Sequence, residues 1–201
     1  MGPKSYAMHP ALKYIESGIE NFKARTGHSI EEWVEITAAA KLADRKSRIA
    51  WLRNAHKLGL PSATAIADAG EGKSLLEYTP EAYVDKLFSG PKTALRPLFE
   101  KLLKLSYSIG KDVTATPCST MVPIRRKHVI AQIKPATNTR IDFGLALQDT
   151  AATGKLIDTG GRAKGDRITH RIAITSKADI DADLKAWLVA AYDLDRAAAK
   201  R

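Results

Sequence analysis

The stretch Arg140-Ile141-Asp142-Phe143-Gly144-Leu145-Ala146-Leu147-Gln148 alternates apolar residues with polar or small ones throughout its length. Such alternation sends successive side chains to opposite faces, the period of a β-strand with one face in a core. It is the clearest strand in the chain and sets the fold class of the second half. Upstream, Val129, Ala131 and Ile133 repeat the pattern as far as Pro135. Downstream, Ile168, His170, Ile172 and Ile174 repeat it after a long loop over 149–167. Val113 with Ala115 starts a strand and Val122 with Ile124 marks another, while Lys155–Asp158 leaves room for a short one. Pro117 and Pro123 confine the Val122–Ile124 strand to an edge or a bulge, since proline brings no N–H to a ladder.

Helical spacing flanks these strands. Leu95, Leu98, Phe99, Leu102, Leu103 and Ile109 form one stripe before them, with Pro97 either opening that helix or kinking its first turn. Ile180, Leu184, Trp187, Leu188 and Ala191 form another after them, and its end at Arg196–Arg201 is expected to fray. Asp179, Asp181 and Asp183 suit the positive end of that helix. Residues 1–9 read as a loose arm, and Pro10 opens a helix through Leu12, Ile15, Ile19 and Phe22 that ends at Gly27. Ser29 with Glu32 predicts a capping box. Further helices follow from Asp44, Pro61 and Thr79, and Ser89-Gly90-Pro91 is the natural seam. The fold class is therefore α+β. A helical domain over 1–90 precedes a domain over 91–201 built as a helix, four or five mainly antiparallel strands, and a helix.

The chain has 201 residues and a net charge of +10. The charge is segmental: residues 1–90 hold 12 Lys and Arg against 11 Asp and Glu, and residues 91–201 hold 20 against 11. A basic segment points to an anionic partner, nucleic acid above all. No apolar run reaches the length of a membrane span, so no membrane partner is expected. The N-terminus lacks the apolar core of a signal peptide, and Cys118, the one cysteine, cannot form an internal disulfide. These features favour a cytoplasmic protein. No metal-ligand spacing or cofactor fingerprint is present, so no metal, cofactor or catalytic residue is assigned.

Three groups carry the charge. Arg125-Arg126-Lys127-His128 sits at a strand end or hairpin turn, where it either contacts phosphates or guards a strand edge. Arg162, Lys164 and Arg167 lie in a glycine-rich loop, Thr159–Arg167, whose free backbone amides could wrap a phosphate. The spacing matches neither G-x-x-x-x-G-K-[ST] nor G-x-G-x-x-G. Strand parity places Gln132, Lys134, Arg140, Asp142, Thr169 and Arg171 together on the sheet face away from the core, either as a binding platform or as an ordinary wet face with an Asp142–Arg pair. His170 falls on the apolar side, as a core or rim histidine or as a base with no named partner. Cys118 is a small residue or a reactive thiol. The segment Trp51–Ala69 has the outline of a helix-turn-helix, but Asp68 is the only charge in its second helix, which favours a structural corner.

Two patterns of residues resemble known domains. Ser29-x-x-Glu32-Trp33, Ile49-Ala50-Trp51-Leu52 and His56-x-Leu58-Gly59-Leu60 resemble a small helical bacterial domain of unknown function. Arg125, Val129-x-x-Ile133-x-Pro135, Leu145-x-Leu147, His170-Arg171-x-x-x-Ile174 and Asp181-x-x-Leu184-x-x-Trp187-Leu188-x-x-Ala191-Tyr192 resemble a second uncharacterised bacterial domain, sometimes labelled a predicted transport protein. Relatives of the second domain occur fused to nuclease-like or restriction-type modules, and by analogy that resemblance implies service near nucleic acid. The transport label finds no membrane span to support it. Neither resemblance supplies catalytic residues.

The reading is a non-catalytic binder of nucleic acid. Arg125, Arg126 and Lys127 contact phosphates, Arg140 and Arg171 extend the patch, and Arg162, Lys164 and Arg167 close over it. One alternative is an adaptor that pairs with a protein partner, or with a second copy, through its sheet or last helix. Another is an enzyme with an unrecognised site, for which His170 in a concave pocket would be the sign.

Overall fold

The computed structural model describes residues 6–73 and 78–198. They group into two compact units: Pro10–Tyr78, and the arm before Pro10 together with Thr79–Arg201. The division thus falls ahead of the Ser89-Gly90-Pro91 seam. The reason is burial: Val84, Leu87 and Phe88 belong to the same core as the sheet.

In the helical unit, α1 (Ala11–Glu20) and α2 (Phe22–Thr26) replace the single helix expected between Pro10 and Gly27. The break is at Asn21, where ψ is 7° and the side-chain amide donates to the Ser17 carbonyl. Asparagine competes with the helical ladder in this way. Gly27 ends α2 at φ 87°, a left-handed conformation that suits glycine. The capping box forms as expected at α3 (Ile30–Ala39): Glu32 N donates to Ser29 Oγ, and Ser29 N donates to the Glu32 carboxylate. Asp44 caps α4 (Arg45–Ala55), and α5 (Leu60–Ala69) packs against α3 and α4. Phe22, Ile30, Trp33, Leu52, Ala63 and Ile66 form the core of this unit. Arg45 of α4 binds both oxygens of Asp68, so the one charge of α5 is used inside the unit. That arrangement fits a structural corner.

The second unit begins with α6 (Pro80–Leu87), a 3-10 turn over Gly90–Leu95, and α7 (Arg96–Ser108). Pro97 opens α7 and does not kink it, since its missing N–H falls where no intrahelical partner exists. The strands are β1 (Thr114–Ala115), β2 (Val122–Arg125), β3 (Val129–Pro135), β4 (Ile141–Leu145), β5 (Ile157–Asp158) and β6 (His170–Ile174). They form one sheet in the order β1-β2-β3-β4-β6-β5, with every neighbouring pair antiparallel. The sheet thus has six strands, two of them only two residues long. Pro123 lies next to a shift of register between Ile124 and Arg125, the bulge alternative, and its carbonyl accepts from Thr116 N. The last helix is α8 (Ala182–Ala198). It starts after a 3-10 turn, and Asp181 caps it by accepting from Leu184 N.

One face of the sheet carries the core. Ile124, Ile133, Ile141, Phe143, Leu145 and Ile174 are wholly buried, clustered with Phe99 and Leu102 of α7 and with Leu184, Leu188 and Ala191 of α8. Both helices therefore cover the same face, as an antiparallel sheet with one wet side requires. The arm is not loose over residues 6–9. Ala7 N donates to the Ala115 carbonyl at 2.9 Å beside β1, and Tyr6 packs against the core. Residues 1–5 and 199–201, the latter being half of the expected fraying end, lie outside the described residues.

Candidate functional site

The register decides which side chains meet on the second face of the sheet. Lys134 pairs with Asp142 and Asp142 with Ala173, while Gln132 pairs with Gly144 and Gly144 with Arg171. These positions alternate with the buried ones, so Gln132, Lys134, Asp142 and Arg171 share the face opposite the core. Arg140 enters β4 beside them. Its Nε donates to Asp142 Oδ1 at 2.8 Å, and Arg171 Nη1 reaches the same oxygen at 3.4 Å. One carboxylate thus sits among three cations, with Lys134 exposed at the rim. By the same alternation Arg125, at the end of β2, lies away from the core. Its charge, after burial, is the second influence that holds the His9 imidazole below its ordinary pKa.

Two residues lie on the side opposite to the one expected of them. Thr169 is buried, and its hydroxyl oxygen accepts from Leu147 N at 3.2 Å. Ile168, expected beside Ile172 in the core, lies on the opposite side: a Cβ built on Gly144 would come within 2.7 Å of both Ile168 Cγ2 and Gln132 Cγ. The regular strand begins only at His170, so parity does not extend back to Ile168. Gly144 is the seat that lets Gln132 and Ile168 close over the sheet.

In the basic run at the β2–β3 turn, the Arg126 and His128 side chains are engaged with acids of the same unit. Arg126 Nε donates to Asp112 at 2.7 Å, and its guanidinium lies 4.2 Å from the centre of the Tyr192 ring. Tyr192 donates its hydroxyl to Asp112 at 2.8 Å. Bonds from Arg126 and then from Tyr192 hold the Asp112 carboxyl below the usual carboxylate range. Arg126 therefore locks α8 to the turn. Lys127 and His128 donate their backbone N–H groups to Asp195 Oδ2, and the His128 ring meets Asp195 Oδ1 through Nδ1 at 2.9 Å. Arg167 Nη2 reaches that same oxygen, and Arg167 Nε donates to the Val129 carbonyl. The Asp195 side chain is only 1% exposed. Burial pushes its carboxyl upward, but the bonds from His128 and Lys127 and the charge of Arg167 outweigh it, and the net shift is downward.

In the glycine-rich loop the amides of all three glycines are engaged within the protein. Gly160 N donates to Asp158, Gly161 N to the Thr159 hydroxyl, Lys164 N to the Gly161 carbonyl, and Gly165 N to the Arg162 carbonyl. Arg162 pairs with Asp149. A cleft of about 310 Å³ lies under this loop, lined by Gln148, Arg162, Arg167, Thr169, Leu194 and Asp195. Gln148 takes φ 53°, a left-handed conformation uncommon for a residue other than glycine.

The eight basic residues singled out in the sequence thus fall into two groups. Arg126, Arg140, Arg162, Arg167 and Arg171 each have a carboxylate partner. Arg125, Lys127 and Lys164 have none among the described residues. Asp195 was the residue that motif reading missed. The signal was there: positions 184, 188, 191 and 195 lie on one helical stripe, and an aspartate on an apolar stripe must find donors.

His170 is buried on the core face, 2.8 Å from the Thr169 hydroxyl through Nδ1, and its Nε2 has no hydrogen-bond partner. Cys118 donates to the Met121 carbonyl at 3.3 Å. Among the described residues no group of His, Cys, Asp or Glu could hold a metal ion, and no helix is long and apolar enough to cross a membrane.

The fold and these surfaces define a two-module α+β protein, a helical module followed by a one-sided antiparallel sheet. Residues 84–195 match the family model of a domain of unknown function, DUF5655, and residues 15–71 match that of a second, DUF4287. The first match spans more than half of the chain, which belongs to the DUF5655 family. No curated protein and no solved structure matches the chain.

Proposed function

We propose that the second unit binds nucleic acid through the polar face of its sheet. The observation that carries the reading is the register-locked group of Lys134, Arg140 and Arg171 around the single carboxylate of Asp142, on the face that α7 and α8 leave alone. Three cations against one anion leave a net positive patch, to which Arg125 adds. The ion pairs with Asp142 hold the two guanidiniums in place before a phosphate arrives. The patch brings no aromatic ring for base stacking, so the reading is of backbone contact with little sequence preference. A cytoplasmic setting is part of the same proposal.

The test is fluorescence anisotropy with labelled DNA and RNA oligonucleotides over a salt series. Binding at low salt should weaken as salt rises. The double variant Lys134→Ala, Arg171→Ala should reduce the slope of log affinity against log salt by about two, roughly one for each cation removed. No binding at low salt, or an unchanged slope in the variant, overturns the proposal.

A further inference from the structure

The Asp195–His128 pair holds an imidazole in the arrangement of a nucleophile. Nδ1 meets a buried carboxylate, and the downward shift of Asp195 keeps that carboxylate ionised at neutral pH. Nδ1 therefore carries the proton in the neutral ring, and the lone pair lies on Nε2. The ring is further fixed because the His128 backbone N–H donates to the other oxygen of the same carboxylate. Nε2 has no partner among the described residues, and 45% of the side chain is exposed. Two cations belong to the same segments: Arg167, bonded to the same Asp195 oxygen as Nδ1, and Lys127, exposed and adjacent to His128 in sequence. An exposed imidazole nitrogen whose ring is backed by a buried carboxylate suits attack on a phosphoryl group, and the positive charge of this segment favours an anionic donor.

We propose that His128 Nε2 is a phosphoryl-acceptor site for small activated phosphoryl donors. The Nε2 lone pair forms a bond to phosphorus while the bond between phosphorus and the donor's leaving group breaks. With phosphoramidate as donor, the leaving nitrogen departs as ammonia with its own three protons. The ring then carries a positive charge, shared with the proton on Nδ1 and stabilised by Asp195. No oxidant or reductant takes part.

The molecule holds its own control. The His28 side chain is 48% exposed, close to that of His128, but its carboxylate neighbour Glu32 lies 3.6 Å away and is itself 42% exposed. Exposure alone would label the two histidines equally. The whole protein is incubated with phosphoramidate, and phosphohistidine is followed by ³¹P NMR and mapped by mass spectrometry. His128 should label at Nε2 about tenfold faster than His28, and Asp195→Asn should remove about that factor, comparable to the lower end of the cost of losing a carboxylate behind a metal-bound histidine. Arg167→Gln keeps the pair and should also slow labelling. Labelling of His128 no faster than His28, or at Nδ1, overturns the proposal, and the comparison within the unaltered protein stands even where a variant folds poorly.

Discussion

Asp195 and His128 lie 67 positions apart in sequence, yet their side chains meet at 2.9 Å, and the carboxylate that joins them is almost wholly buried. Through it the end of α8, the β2–β3 turn and the loop before β6 are tied to one point. Asp195→Ala would leave two backbone N–H groups and the Arg167 guanidinium short of an acceptor. An unsatisfied buried polar group costs about 1–3 kcal/mol. Because His128 and Arg167 can turn partly to water, a loss of about 2 kcal/mol is expected in urea unfolding. Asp195→Asn, which keeps the shape and one acceptor oxygen, should lose less.

The same carboxylate sets a pH dependence. Its folded pKa lies below the unfolded value, which is about 3.9 for an aspartate. Its contribution is present above the unfolded value and is lost as pH falls through the folded one. Asp112 and Asp179 are lowered too, through bonds from Arg126 and Tyr192 and from the backbone of Thr175 and Ser176 respectively. Stability at 25 °C should thus fall as pH drops below about 4. Asp195→Asn should flatten that fall, and an unchanged acid slope would show that Asp195 carries none of it.

Arg126 and Lys134 separate the two roles of positive charge. Arg126 is bound to Asp112 and stacked on Tyr192, with 19% of its side chain exposed, whereas Lys134 is exposed on the polar face. Arg126→Ala should lower stability by about 1 kcal/mol, the scale of a partly exposed cation–π contact with a hydrogen bond, and leave oligonucleotide affinity at a given salt nearly unchanged. Lys134→Ala should do the reverse. The pair is read by chemical denaturation beside anisotropy.

The strands, the helical stripes and the one-sided core were legible because they rest on periodicity. Phe143 and Ile133 could be placed on one face from the parity of their own strands. The positions that misled are those where the regular strand stops. Ile168 and Thr169 precede the first paired residue of β6, so counting by twos from Ile172 assigns them to the wrong sides. The charge map misled for another reason. Arg126, Arg162 and Arg167 look free in a list of cations, but their partners Asp112, Asp149 and Asp195 come from distant segments that no local pattern links to them. Sequence charge gave the sign of the unit, and only the fold showed which charges remain uncompensated.

Gly144 offers the sharpest check on the corrected strand boundary. A methyl group there would meet Gln132 Cγ and Ile168 Cγ2, each at 2.7 Å, inside contact distance. Its backbone is paired with Gln132 on one side and Arg171 on the other, so β4 cannot retreat without breaking two ladders. Gly144→Ala should therefore destabilise by about 1–3 kcal/mol, the range for overpacking a well-filled site, despite alanine's better backbone entropy. Ile168→Ala should rescue part of that loss in the double variant, because the two side chains compete for one space while the contact with Gln132 remains. If Ile168 lay in the core beside Ile172, the two losses would add with no rescue, so thermal unfolding of the single and double variants decides between the two placements.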